Sequence, residues 1–210
     1  HFAQTLPCRS NLVIRSSSSL PKVLADLPDK PLLNRQMLGV DSGVGCFVVG
    51  SHVAKTTRQL QHLLAADGVG AVEVSVQRIL DDPDGLLRDT LSAISAIVNA
   101  GCTPVVFTSR QEVRLPDVNE RQLLGQRVSN FLVEVVRRMD FTPAYLVAKG
   151  GITSHDILTT GLGVVEARVL GQVATGVPCI MTDLCPYVIF PGNVGDDLAL
   201  LDVYLKLREN

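Results

Sequence analysis

The sequence contains little of what marks membrane proteins or binders of large polyanions. No apolar run approaches the ~20 residues that a membrane-spanning helix needs, so no such segment is expected. Lys and Arg number 19 against 21 Asp and Glu, a formal net charge of −2, and no basic run stands out. Recognition of nucleic acid through bulk charge is therefore not expected. Aromatic residues make up 4% of the chain, and they form no stacking stripe of the RNA-binding kind. The five cysteines (Cys8, Cys46, Cys102, Cys179 and Cys185) show neither metal-ligand nor disulfide-framework spacing. Their odd number favours a reducing compartment, here read as the cytoplasm. Cys179 and Cys185 sit among apolar neighbours and read as small packed hydrophobes. Two standard phosphate motifs are also missing. No G-x-x-x-x-G-K-[ST] occurs, and "GLGVVE" (Gly161 to Glu166) follows a helical pattern and lacks the third glycine of a dinucleotide fingerprint.

What is present is an ordinary globular composition: 210 residues, 46% apolar and 19% charged. A chain of that length buries roughly 70% of its unfolded surface and sustains a core without staples. It opens on His1 rather than Met, which reads as a piece of a longer protein. Residues 1–40 are irregular. "NLVI" (Asn11 to Ile14) suits a strand, and "RSSSSLPKVLADLPDKPLL" reads as a linker. They are expected to be a linker and the remnant of an upstream domain, with the domain proper over 41–210.

From Gly45 onward strands and helices alternate. "CFVVGS", "AVEVSV" (Ala71 to Val76), "PVVFTSR", "AYLVAK", "ARVLGQV", "VPCIM" and "YVIF" read as strands. "AKTTRQLQHLLAADG", "DPDGLLRDTLSAISAIVNAG", Asn119 to Met139, "SHDILTTGLG" and "DDLALLDVYLKL" read as helices. Strands apolar on both sides, alternating with helices, predict an α/β fold. Its expected form is a mainly parallel sheet with helices on both faces, three-layered and Rossmann-like.

Such sheets bind ligands beyond the carboxyl ends of their strands. Four turns lie there: "VVGSHVAKTT", "VFTSR", "VAKGGITSHD" and "IFPGNVGDD". Three carry glycine directly after the strand, which lets a ligand approach bare backbone. Exposed amides at the start of a following helix suit phosphate. Ser51 and Thr56, or Thr153 and Ser154, could add hydroxyls. Lys149 is the best-placed cation, with Arg110 and Arg168 as weaker candidates and Asp183 as a further residue for the same rim. Each turn taken singly also has a plain packing explanation. Glycine eases a tight turn, Thr153 or Ser154 caps a helix, and Lys149 could be a solvated turn lysine. His62 lies within a helix and reads as a surface residue, whereas His52 and His155 follow glycine turns and could edge a site.

At these turns the chain resembles a known family. "VVGSHVAKTTRQ", "AKGGITSHDILTTGLGVVEARVLGQVATGVPC" and "VIFPGNVGDDLAL" are similar to the C-terminal, nucleotide-binding domain of four-carbon acid sugar kinases, over roughly Gly45 to Leu207. "VAKGGITS" with "VEVVRRM" also resembles the version found in large eukaryotic dehydrogenase/kinase/aldolase fusions. The resemblance implies ATP and Mg²⁺ as cofactors. It also implies a tetronate, 3-oxo-tetronate or erythronate-like sugar acid as acceptor, bound by an N-terminal partner domain. Homo-oligomerisation is possible. The implied nucleotide contacts are Gly50 and Ser51, Gly150 and Gly151, and Gly192, Asn193 and Gly195. Thr56 and Lys149 join them from the reading of the turns, and no catalytic base is assigned. The chain departs from the family at Val53 and Ala54, where Ser and Pro are usual, and in a shortened stretch at Met181 to Leu184. An inactive module kept for interdomain packing or assembly is the alternative.

Overall fold

The computed structural model describes residues 13–16, 19–40, 42–110 and 117–208. By contact pattern the chain falls into two units, divided between Pro31 and Leu32. In the first, helix α1 (Ser19–Leu24) buries none of its residues, and Lys22 pairs with Asp29. The expected linker thus contains one short helix. Residues 13 and 14 of the expected "NLVI" strand belong to no strand, and its first two residues lie outside the described residues.

The second unit is a seven-stranded sheet in the order β2-β3-β1-β4-β7-β6-β5. Its strands are β1 (Cys46–Val49), β2 (Val69–Val74), β3 (Thr103–Thr108), β4 (Leu146–Lys149), β5 (Arg168–Ala174), β6 (Val177–Met181) and β7 (Pro186–Phe190). The pairings β2-β3, β3-β1, β1-β4 and β4-β7 are parallel. The last two strands form an antiparallel hairpin added at one edge. The expectation of an α/β fold with a mainly parallel sheet is met.

Handedness explains the layers. From β1 the chain travels outward through α2 (Ala54–Leu64) to β2. It then returns through α3 (Val76–Asp81) and α4 (Pro83–Asn99) to β3, and crosses β1 through α5 (Val118–Arg138) to β4. Right-handed crossovers running in opposite directions lie on opposite faces. Cys46, Val48, Val106, Leu146, Ala148 and Tyr187 accordingly face a core with α3, α4 and α5. Phe47, Val49, Val105, Val147, Val188 and Phe190 face another with α2 and α7 (Ala199–Leu207). Strand alternation supplies both sets, since successive side chains point to opposite faces.

One helix was missed, and another begins earlier than read from Ser154. The "AVEVSV" strand ends at Val74, because the Ser75 side chain accepts a hydrogen bond from Arg78 N and starts α3. Glycine-rich "GGITSHDILTTG" forms α6 (Gly151–Asp156) followed by a wider turn over Ile157–Gly161. Tyr187, fully buried, donates its hydroxyl to Ser154 O at 2.8 Å and locks α6 onto the sheet.

Leu63 is completely buried on α2, whereas His62 beside it is exposed, as read from sequence. Leu63→Ala should cost about 2–5 kcal/mol, and His62→Ala should stay within about 0.5 kcal/mol. Urea unfolding of the two variants checks this.

Candidate functional site

The neighbours of β1 in the sheet, β3 and β4, send their following helices to the face opposite α2. The loops therefore part at the carboxyl end of β1, the position at which open α/β sheets bind ligands. Four turns meet there, built from residues remote in sequence. Gly50 N and Ser51 N both donate to Lys149 O, at 3.2 and 3.3 Å, and Gly150 N donates to Phe190 O at 2.9 Å. The ends of β1, β4 and β7 are thereby stitched side by side.

Glycine is required at two of these contacts. A Cβ on Gly50 would overlap Thr153 Oγ1 of α6. Gly150 has φ +120° and ψ 138°, and a Cβ on it would lie 3.2 Å from Ser51 Cβ and 3.3 Å from Ser51 N. Gly151 differs from both: a Cβ there meets nothing within 4 Å. Gly192 presents its backbone to Ser51, whose Oγ would be 3.0 Å from an added Cβ.

The polar side chains beneath the turns face inward. Lys149 is fully buried. Its Nζ donates to Pro191 O at 2.9 Å and Gly192 O at 3.3 Å, and lies 4.0 Å from the centre of the Phe190 ring. It is not the solvated turn lysine allowed for by the sequence. Burial, helped by the charge of Lys55, pulls its ammonium down from 10.5 to about 8. Thr56 is fully buried as well, with Oγ1 3.1 Å from Ser51 Oγ and 3.2 Å from Gly192 O. Arg110 commits its guanidinium to carbonyls: Nη1 to Ser51 O at 2.6 Å, Nη2 to Val49 O at 3.3 Å and Nε to Thr108 O at 3.0 Å. Ser154, expected as a hydroxyl donor or cap, donates to Ala148 O and Gly150 O, each at 2.7 Å.

The β7 turn is tied to α2. Gln59 Nε2 donates to Val194 O and Asp196 O at 3.0 and 2.6 Å. Lys55 Nζ reaches Gly195 O at 3.0 Å, and Arg58 pairs with Asp197 at 2.9 Å. Asn193 lies exposed at the tip. On the other side of the β1 turn opens a cleft of about 580 Å³. It is lined by Gly50, His52, Arg110 and Thr153 with apolar residues including Val128, Leu132 and Ile152. His52 stands on its rim, held below its ordinary value by partial desolvation and the charge of Arg110. Gly192, Asn193 and Gly195 do not line this cleft. Asp183 lies at the amino end of the parallel strands, just before β7, in a separate cavity of about 930 Å³ with Asp140 and Glu166. Arg168 opens β5 opposite Met181 at that same end. Neither belongs to the rim expected from sequence, because the antiparallel hairpin reverses the chain there. His155 is exposed on α6.

The model for the nucleotide-binding C-terminal domain matches residues 46–200. The chain belongs to this family. Solved structures share the fold of the nucleotide-binding domain. The Haemophilus influenzae protein HI1011, of the DUF1537 family, is 14% identical with a TM-score of 0.64, over 80% of this chain and 41% of that one. A DUF1537 protein from Bordetella bronchiseptica, solved with bound citrate as a domain-swapped dimer, is 18% identical with a TM-score of 0.60, over 83% and 44%. A putative tRNA synthase from Salmonella typhimurium LT2 is 18% identical with a TM-score of 0.59, over 77% and 40%. DUF1537 is the four-carbon acid sugar kinase family, so the resemblance read from the turns is borne out. The chain spans less than half the length of these structures. No curated protein matches it.

Gly150→Ala should destabilise the nucleotide-binding domain by about 1–3 kcal/mol through its left-handed backbone, read from denaturant midpoints. Lys149 adds a pH signature. The folded domain loses this proton near pH 8, the unfolded chain near 10.5. Between those values the unfolded chain holds more protons, so this group makes stability rise with pH. Lys149→Met should abolish that part of the rise when unfolding midpoints at pH 8 and 10 are compared with wild type.

Proposed function

We propose that this nucleotide-binding domain holds ATP at the joined carboxyl-end turns and is the ATP half of a four-carbon acid sugar kinase. The observation that carries the reading is the meeting of the β1, β4 and β7 turns, with glycine backbone at each. The polyphosphate lies against Gly50 and Ser51, Gly150 and Gly151, and Gly192, Asn193 and Gly195. Thr56 and Lys149 complete the set from beneath. Phosphoryl transfer requires positioning and charge neutralisation more than covalent chemistry, which suits a site made of backbone amides.

Mg²⁺, when bound with the nucleotide, would be held mainly by substrate phosphates and water and would supply charge neutralisation for the transfer. No group of three His, Cys, Asp or Glu side chains suited to a metal occurs among the described residues. The acceptor, a tetronate, 3-oxo-tetronate or erythronate-like acid, is held by an N-terminal domain that also supplies the base. The similar structures are more than twice as long as the matched region, which leaves room for such a partner. Cytoplasmic placement belongs to the same reading, supported by the free thiols of Cys46, Cys102, Cys179 and Cys185. No helix among the described residues is long and apolar enough to cross a membrane. Self-association is also part of the proposal, supported by the dimeric Bordetella structure.

A second reading, a packing module with a lapsed site, draws on one observation: Lys149 and Arg110 direct their charges at carbonyls. Gly151→Asp separates the two. The new side chain enters open space, so folding survives while a carboxylate confronts the polyphosphate. Calorimetry with Mg-ATP should show binding in wild type and at least tenfold weaker binding in Gly151→Asp, with unchanged thermal midpoint. Absence of wild-type binding at millimolar nucleotide overturns the kinase reading.

A further inference from the structure

Three carbonyls at the turns are drawn into the protein. Ser51 O is held by Arg110 Nη1, Pro191 O by Lys149 Nζ, and Gly192 O by Lys149 Nζ with Thr56 Oγ1. A trans peptide is planar, with its C=O and N–H on opposite sides. Anchoring a carbonyl inward therefore turns the next residue's N–H outward. The three N–H groups so turned belong to His52, Gly192 and Asn193. Among the described residues none of them donates to another protein group. Helix capping does not explain this arrangement at the β7 turn, because Gly192 and Asn193 precede α7 by several residues.

We propose that Lys149, Arg110 and Thr56 are positioning residues that never touch the anion: they hold carbonyls so that the amides of His52, Gly192 and Asn193 converge on a phosphate chain. The proposal rests on the nucleotide reading above and changes the role of its cations. A lysine whose ammonium contacted phosphate would need an open path to it, and Lys149 has no solvent-exposed surface. Arg110 has its Nε and both terminal nitrogens engaged on carbonyls. The arrangement also divides the labour. Arg110 governs the His52 amide alone, Lys149 governs both amides of the β7 turn, and Thr56 supports only that of Asn193.

That division gives the test. Inorganic tripolyphosphate is titrated into ¹⁵N-labelled protein, and the backbone amide shifts of His52, Gly192 and Asn193 are followed alongside affinity. In wild type all three should move. In Lys149→Met the responses of Gly192 and Asn193 should vanish while that of His52 persists. In Arg110→Met the pattern should invert. Thr56→Val, nearly isosteric and the mildest change, should weaken only Asn193 and serves if either larger substitution fails to fold. Each loss should reduce affinity about tenfold, as expected for removing a hydrogen bond to a charged group. A general loss of structure would not sort the amides in this way. If the three amides respond in wild type but fade together in every variant, or are unaffected by them, the positioning roles are overturned and the nucleotide reading stands. If no amide moves in wild type at millimolar tripolyphosphate, both are overturned.

Discussion

The contact on which the turns depend is a buried ammonium against two backbone carbonyls. Lys149 ends β4 inside the sheet, and its Nζ reaches Pro191 O and Gly192 O at the end of the neighbouring strand. A lone charge in that position is costly to bury. Two acceptors and the face of Phe190 offset the cost, and the lowered proton affinity shows how much of it remains. Replacing the lysine with an apolar residue would free the charge cost but take one donor away from each of two inward carbonyls.

Around this clamp the other contacts form a small mesh. Thr56 ties the start of α2 to Ser51 and Gly192, Gln59 ties it to the rest of the β7 turn, and Arg110 fastens the β1 turn from β3. Each holds a carbonyl, so the free donors of the turns face outward. The glycines complement the mesh. Gly50 and Gly150 let backbones approach where a side chain would not fit, and Gly151 leaves open space. On the proposed kinase reading, the cations shape the loops and the amides meet the anion.

Much of the architecture was legible in the residues. Alternating strand and helix patterns yield the parallel part of the sheet because strands covered on both faces must be apolar throughout. The glycine turns were legible too, since a permissive residue directly after a strand marks close approach. The errors have separate causes. Val76 has the side chain of a strand, but Ser75 before it can cap a helix, and capping won. Asp183 and Arg168 stand among strand-like segments whose direction cannot be read locally, and the antiparallel hairpin carries them to the amino end of the parallel strands.

The sequence by itself determined the fold class, the family and the turns where glycine follows a strand, because these follow from local periodicity and from residue types at short spacing. Only the tertiary structure decided where the charges go. Whether Lys149 and Arg110 face solvent or carbonyls depends on partners 42 and 59 residues away, brought close by strand order, and no local pattern contains that distance.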